Sequence, residues 1–279
     1  MPLKTLAVFV DPSAVGDARV AYAVELAFRH GSHLIGIFVV PMGWDGNASE
    51  AFVRGKDAIR QLIEHHATSE AATTSAASRS FSAASSREAI SSEFRFLRHG
   101  EANEGAVLNA LHSDLVIVGG PQLDGLPRDW SAETLLLATG VPVLLLPEHW
   151  NGPVAERVIV AWNASREARR AVADALPLLV GARSVTILVV DPQKNSRHGE
   201  EPGADVALYL SRHGANVVVE QVQSHGQQTA DVILDFARRN DGDLIVVGAY
   251  SHARATEMIF GGVTRSLLRD ATVPLLIAH

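Results

Sequence analysis

The chain has 279 residues, 24 basic and 31 acidic side chains and a formal net charge of −7. With 47% apolar and 20% charged residues it has the composition of a folded globular chain long enough for two domains, not of a disordered one. The absence of cysteine excludes disulfides, thiolate zinc sites, iron–sulfur clusters and a cysteine nucleophile, and the acidic balance argues against a nucleic-acid binder.

Taken in chain order, the apolar runs are short, continuous and rich in Val, Ile and Leu, as in strands buried on both faces of a parallel sheet. Strands are expected at about 4–10, 34–40, 94–98, 115–119 and 142–146, then at about 157–162, 185–190, 216–222, 243–248 and 273–278. Helix-period segments lie between them. Arg166–Val180 carries Ala168, Val172, Ala175 and Leu179 at helical spacing. Thr229–Ala237 carries Val232, Ile233 and Phe236, and Glu104–Leu111 is its partner in the first half. No apolar run approaches the about 20 residues of a membrane helix. Met1–Asp11 has no signal-peptide pattern, so a soluble cytoplasmic protein with no membrane partner is expected.

The elements repeat once. Leu6–Ser13 (LAVFVDPS) matches Val158–Ser165 (VIVAWNAS) at an offset of 152. The Val-Val pairs of Leu34–Pro41 and Val185–Pro192 lie 150 apart, and DLVIVG at Asp114 matches DLIVVG at Asp243 at 129. Val141–Pro142 and Val273–Pro274 lie 132 apart. A tandem duplication follows, with domains at 1–149 and 153–279 and a Pro/Gly/Asn linker between them. The falling offset gives the first half about 21 extra residues, for which Ala67–Ser92 is the candidate. Seventeen of its 26 residues are Ala or Ser, a composition that extends a helix or stays loose. A helix from about Asn47 to His66 with a looser continuation is expected.

Strands alternating with helices make an α/β fold of two doubly wound domains, each an open five-stranded parallel sheet flanked by helices. Ligands bind such sheets at the carboxyl ends of the strands, where strand order reverses. In the second half the fourth strand ends at Gly248-Ala249-Tyr250-Ser251. After nine intervening residues, Gly261, Gly262, Val263, Thr264 and Arg265 open a helix. Paired glycines and free helix-start amides suit a phosphate, but equally an ordinary strand end and helix start. The first strand ends at Ala161, Asn163 and Ser165. These are candidate ribose or base contacts, with an Asx turn and helix cap as the simpler reading. Val189 and Asp191 end the second strand, where the backbone could meet an adenine edge. The Walker, GxGxxG, GxSxG and HExxH patterns do not occur, and no catalytic residue stands out. The pairs His30/His33 and His65/His66 read as surface histidines, with no metal site expected.

These residues resemble a tandem universal stress protein, a Rossmann-like, adenine nucleotide alpha hydrolase-like architecture, over nearly the whole chain. The resemblance implies a stress-response regulator that is not an enzyme, although weak ATP hydrolysis stays open. It implies adenine nucleotide (ATP, ADP or AMP), with or without magnesium, as ligand, an unknown protein partner and an internal pseudo-dimer able to form a homodimer. The family motif places an aspartate after the first strand and Gly-x-x-Gly, nine residues, then Gly-Ser/Thr after the fourth. Gly248 and Gly261 match it; Ser251, Gly262 and Asn163 depart from it. In the first half Asp11, Ser13, Val39 and Gly119 keep part of the motif, but Asp129 and Trp130 fall opposite the glycine pair. A carboxylate and an indole there oppose a triphosphate, so this half is expected not to bind ATP. A non-nucleotide scaffold and a slow ATPase are the competing functions.

Overall fold

A computed structural model describes residues 2–11, 13–40, 56–97, 102–120, 131–249 and 262–279. The first half runs β1 (Thr5–Val10), α1 (Ala14–His30), β2 (His33–Val39), α2 (Lys56–Arg87), β3 (Ser92–Leu97), α3 (Ala102–Ala110), β4 (Leu115–Val118), α4 (Ala132–Thr139) and β5 (Val143–Leu145). The second runs β6 (Arg157–Ala161), α5 (Arg166–Gly181), β7 (Ser184–Val190), α6 (Ala204–Arg212), β8 (Val217–Val222), α7 (Thr229–Arg239), β9 (Leu244–Gly248), α8 (Gly262–Asp270) and β10 (Leu275–Ala278). All ten expected strands are present.

The strands join in one sheet of order β3-β2-β1-β4-β5-β10-β9-β6-β7-β8. Every pairing is parallel except β5 with β10, which is antiparallel. Leu144 faces Leu276 at the centre of that pairing, and the two are counterparts at the 132-residue offset. A pseudo-two-fold axis therefore passes through them, the arrangement of a self-complementary dimer interface built within one chain.

Both faces of the sheet are buried, so the strands read as unbroken apolar runs. One core lies under α1, α2, α5 and α6, with Val20, Phe81, Val172 and Leu210 as contributors. The other lies under α3, α4, α7 and α8, with Ala110, Leu135, Ile233 and Leu267. The linker residue Trp150 packs against both, and its indole N–H donates to the Pro153 carbonyl at 3.1 Å.

The two matching DL motifs have a structural cause. Asp114 accepts the backbone amides of Lys4 and Thr5, at 2.7 and 2.9 Å. Asp243 accepts those of Glu156 and Arg157, at 3.1 and 2.9 Å. Each aspartate holds the start of its half's first strand.

Two sequence expectations change. Strand pairing sets Leu6 beside Leu34 and Val158 beside Val185, so the second strands are offset by 151 and not 150. Side chains alternate across a strand, and a slip of one residue moves each to the other face. Val39 lies in the α3/α4 core and Val189 in the core under α1 and α5; Phe38 is the true counterpart of Val189. The Ala/Ser tract is also not a loose continuation, because α2 stays helical to Arg87. Ala77 and Phe81 are the buried anchors of that stretch. The Phe81 ring lies where a side chain at Gly36 would be and packs on Phe94, which stacks on Phe38. Ser80 adds a hydrogen bond to Asp17 of α1. The amino-terminal part of the expected 47–66 helix, up to residue 55, lies outside the described residues.

Truncating Phe81→Ala is expected to cost about 3–5 kcal/mol, the range for a buried aromatic. It should also reduce helicity, both read by urea denaturation followed by circular dichroism. Asp243 is buried and Asp114 exposed. Asp243→Ala, which removes a buried carboxylate and the acceptor of two half-buried amide bonds, is expected to cost about 1–3 kcal/mol against under about 1 kcal/mol for Asp114→Ala.

Candidate functional site

Strand order reverses between β1 and β4 in the first half and between β6 and β9 in the second. The carboxyl ends of these neighbours frame two crevices related by the pseudo-two-fold. Helices α4 and α8 connect parallel neighbours, so each runs back against the strands and starts at the crevice edge.

In the second crevice the first-strand loop folds as an Asx turn followed by a helix cap. Asn163 Oδ1 accepts the Ser165 amide at 3.2 Å, and Ser165 Oγ accepts the Ala168 amide at 3.1 Å. Ala164 between them adopts φ 53°, which closes the turn. Ala161 ends β6 half-buried, and Asn163 is exposed at the rim. The structure uses Ser165 as the cap of α5, where it is buried.

Gly248 ends β9, and its bare Cα has a packing reason. A Cβ there would run into the backbone of Glu167 and Ala168, so the first turn of α5 lies directly against the strand end. Burial pushes the Glu167 carboxyl up. The backbone amide it accepts from, the Arg166 guanidinium at 2.8 Å and the His279 charge outweigh that and hold it below the usual carboxylate range. His279 Nδ1 lies 3.1 Å from the Ala249 carbonyl. Across the crevice α8 opens at Gly262, which is exposed and has open space where a side chain would sit. Val263 lies at the surface and Thr264 is buried. Ser251 and Gly261 lie outside the described residues, as do Asp129 and Trp130 of the first half.

Two residues outside the sequence motif, Asn195 and Ser224, shape the second crevice. After β7 the chain turns at Asp191, held at φ 49°, into two short 3-10 turns, Pro192–Lys194 and Ser196–His198. Asn195 between them donates its side-chain amide to the Asn163 carbonyl at 2.8 Å, tying this loop to the first-strand loop. Ser224, beyond β8, donates to Asp191 through its amide at 2.8 Å and its hydroxyl at 2.6 Å. Val189 is wholly buried below, with its side chain in the core. Neither asparagine-to-carbonyl nor serine-to-aspartate ties carry a sequence period, which is why the pattern alone did not reveal them.

The first crevice is assembled from the matching residues with a different result. Asp11 Oδ1 accepts the Ser13 amide at 3.1 Å and also the Ser13 hydroxyl, and Ser13 Oγ caps α1 through the Gly16 amide at 3.0 Å. The other Asp11 oxygen pairs with the buried Arg19. Gly119 lies against that same guanidinium. Arg19 was legible in principle, as a charge set among Gly16, Val20 and Ala23 on the buried face of α1. His33, read from sequence as a surface histidine, contacts Ser91 at 2.7 Å and Glu93 at 3.6 Å.

Lys194, then the Ser224 hydroxyl and amide, hold the Asp191 carboxyl well below its ordinary value. A depressed carboxylate contributes stability above the unfolded value near about 4, and loses it as pH falls through the folded value. Asp191→Asn is therefore expected to be less stable than the parent at neutral pH. The gap should close progressively below about pH 4, measured by urea unfolding across the pH range.

The model of the universal stress protein family matches residues 155–279. The whole chain is similar in fold to a universal stress protein from Archaeoglobus fulgidus DSM 4304, with a TM-score of 0.71 and 15% identity, covering 98% of this chain and 97% of that one. It is also similar to a functionally unknown protein from Pseudomonas aeruginosa PAO1, with a TM-score of 0.58 and 15% identity, covering 99% and 92% of the two chains. At these identities the likeness is one of fold. Universal stress protein Slr1230 from Synechocystis is 22% identical over 149 residues, 52% of this chain, and the match spans about half of that relative, 49%. Among the described residues no helix is long and apolar enough to cross a membrane. Residues 155–279 thus match the universal stress protein family model and are joined through one sheet to a first half of the same architecture.

Proposed function

We propose that the chain is a stress-response regulatory protein whose second half binds an adenine nucleotide at the carboxyl edge of β6 and β9. The observation that carries this reading is the start of α8. Its first residue, Gly262, is exposed, with no described atom where a side chain would sit, and it opens the helix that joins β9 to β10. Unpaired amides and the positive end of a helix dipole favour a phosphate there. Asn163 is exposed at the rim, where a ribose would lie, and the β7 end supplies backbone beside it. The resemblance to universal stress proteins supplies the ligand class. The nucleotide acts as a signal: binding changes conformation or partner affinity, and turnover is not part of the function. The first half, domain 1–149, serves as the structural partner of domain 153–279.

A scaffold that takes no nucleotide is the second reading. It is favoured by Ser165 and Gly248, whose roles in capping and helix packing are complete without a ligand.

Acid denaturation of freshly purified protein, followed by chromatography and mass spectrometry, is expected to release adenine nucleotide at up to one per chain. Protein stripped of nucleotide is expected to gain thermal stability with millimolar ATP and magnesium. Gly262→Asp places a carboxylate where the phosphate would lie. It should weaken nucleotide binding at least about tenfold while leaving the empty protein as stable or slightly more so, because an acidic side chain suits a helix start. No released nucleotide together with no thermal shift would replace this reading with the scaffold. Magnesium-dependent phosphate release that Gly262→Asp abolishes would replace it with a slow ATPase.

A further inference from the structure

We infer that Arg19 is the permanent occupant of the first crevice, a built-in guanidinium that closes β1/β4 to outside ligands. The inference rests on three contacts made by one side chain. Arg19 is 4% exposed, deep in the layer between α1 and the sheet. Its Nε–H donates to the Phe9 carbonyl at 2.9 Å, at the carboxyl end of β1. A terminal nitrogen pairs with the Asp11 carboxylate, and the planar head covers Gly119 so closely that a Cβ there would overlap it.

A strand-end carbonyl, a carboxylate and a glycine open to close approach are the groups such a crevice offers a ligand. In the first half one arginine takes all three. Guanidinium suits this place better than an ammonium would, because its flat fork reaches a carbonyl and a carboxylate together while its face lies on the glycine.

The second half shows the alternative. At the same offset that pairs Leu6 with Val158, Arg19 corresponds to Ala171, which cannot reach the strand ends. The helix itself closes up instead, its Glu167–Ala168 backbone lying against Gly248. The two halves thus share a turn, a helix cap and a strand-end glycine, and differ in what fills the space above that glycine. This inference stands whether or not the second half takes a nucleotide.

The test is chemical rescue. Arg19→Ala leaves Asp11 in a vacated pocket, and its Tm is expected to fall by roughly 5–15 °C, the scale for an orphaned buried ion-pair partner in a chain of this size. Low-millimolar guanidinium chloride should restore part of that loss, whereas sodium chloride at equal ionic strength should not, and the parent should not respond. Adding Asp11→Asn to Arg19→Ala should abolish the rescue. A second measurement uses the unaltered chain in case Arg19→Ala does not fold. The Arg19 Nε–H resonance should exchange with water at least about 100-fold more slowly than exposed arginines, and Asp11→Asn should speed it. Equal guanidinium effects in parent and variant, no rescue of a folded Arg19→Ala, or solvent-rate exchange at Arg19 would each overturn the inference.

Discussion

Three residue pairs hold the two halves in one sheet. Val143, Leu144 and Leu145 face Ile277, Leu276 and Leu275 in antiparallel register, with strands that are parallel everywhere else on either side. Last strands of this kind are apolar edges, and an apolar edge left open recruits other chains. Pairing each with its own counterpart removes both edges at once. The axis through Leu144 and Leu276 also dictates where the helices go. It keeps α1, α2, α5 and α6 on one face and α3, α4, α7 and α8 on the other, so each core is continuous across the seam.

That symmetry makes the difference between the crevices informative. Both halves begin with a strand that ends in an Asx turn and a serine cap: Asp11 and Ser13 in one, Asn163 and Ser165 in the other. Both place a glycine at the end of the fourth strand. Above that glycine lies a buried guanidinium in the first half and a helix backbone in the second. The repeated strand order supplies two crevices, and a single side chain in the first helix fills one of them. The loop after β7 adds a further difference, since Asn195 ties it across to Asn163 at the second crevice's rim.

Several site residues carry structural work that motif reading cannot separate from ligand contact. Gly248 lies against α5, Ser165 caps that helix, and Val189 points into the core. A glycine at a strand end has the same sequence appearance whether a phosphate or a helix approaches it. The Ala/Ser tract shows the reverse case. Its composition is compatible with helix or with none, and the decision falls to Phe81, one aromatic side chain seated over Gly36 and packed on Phe94.

What the sequence determined by itself was the set of strands, their alternation with helices and the repeat of that order in the two halves, because burial on both faces writes apolar runs that need no partner to be recognised. The 152- and 129-residue offsets were correct for the same reason: paired strands and clamped aspartates constrain identity at those positions. The tertiary structure decided the rest. It set the second-strand offset at 151, since only a neighbouring strand shows which face a valine takes. It extended α2 to Arg87 and brought Arg19, Phe9, Asp11 and Gly119 to one point. Those four residues are scattered over more than a hundred positions, and their meeting depends on strand order, which no local pattern encodes.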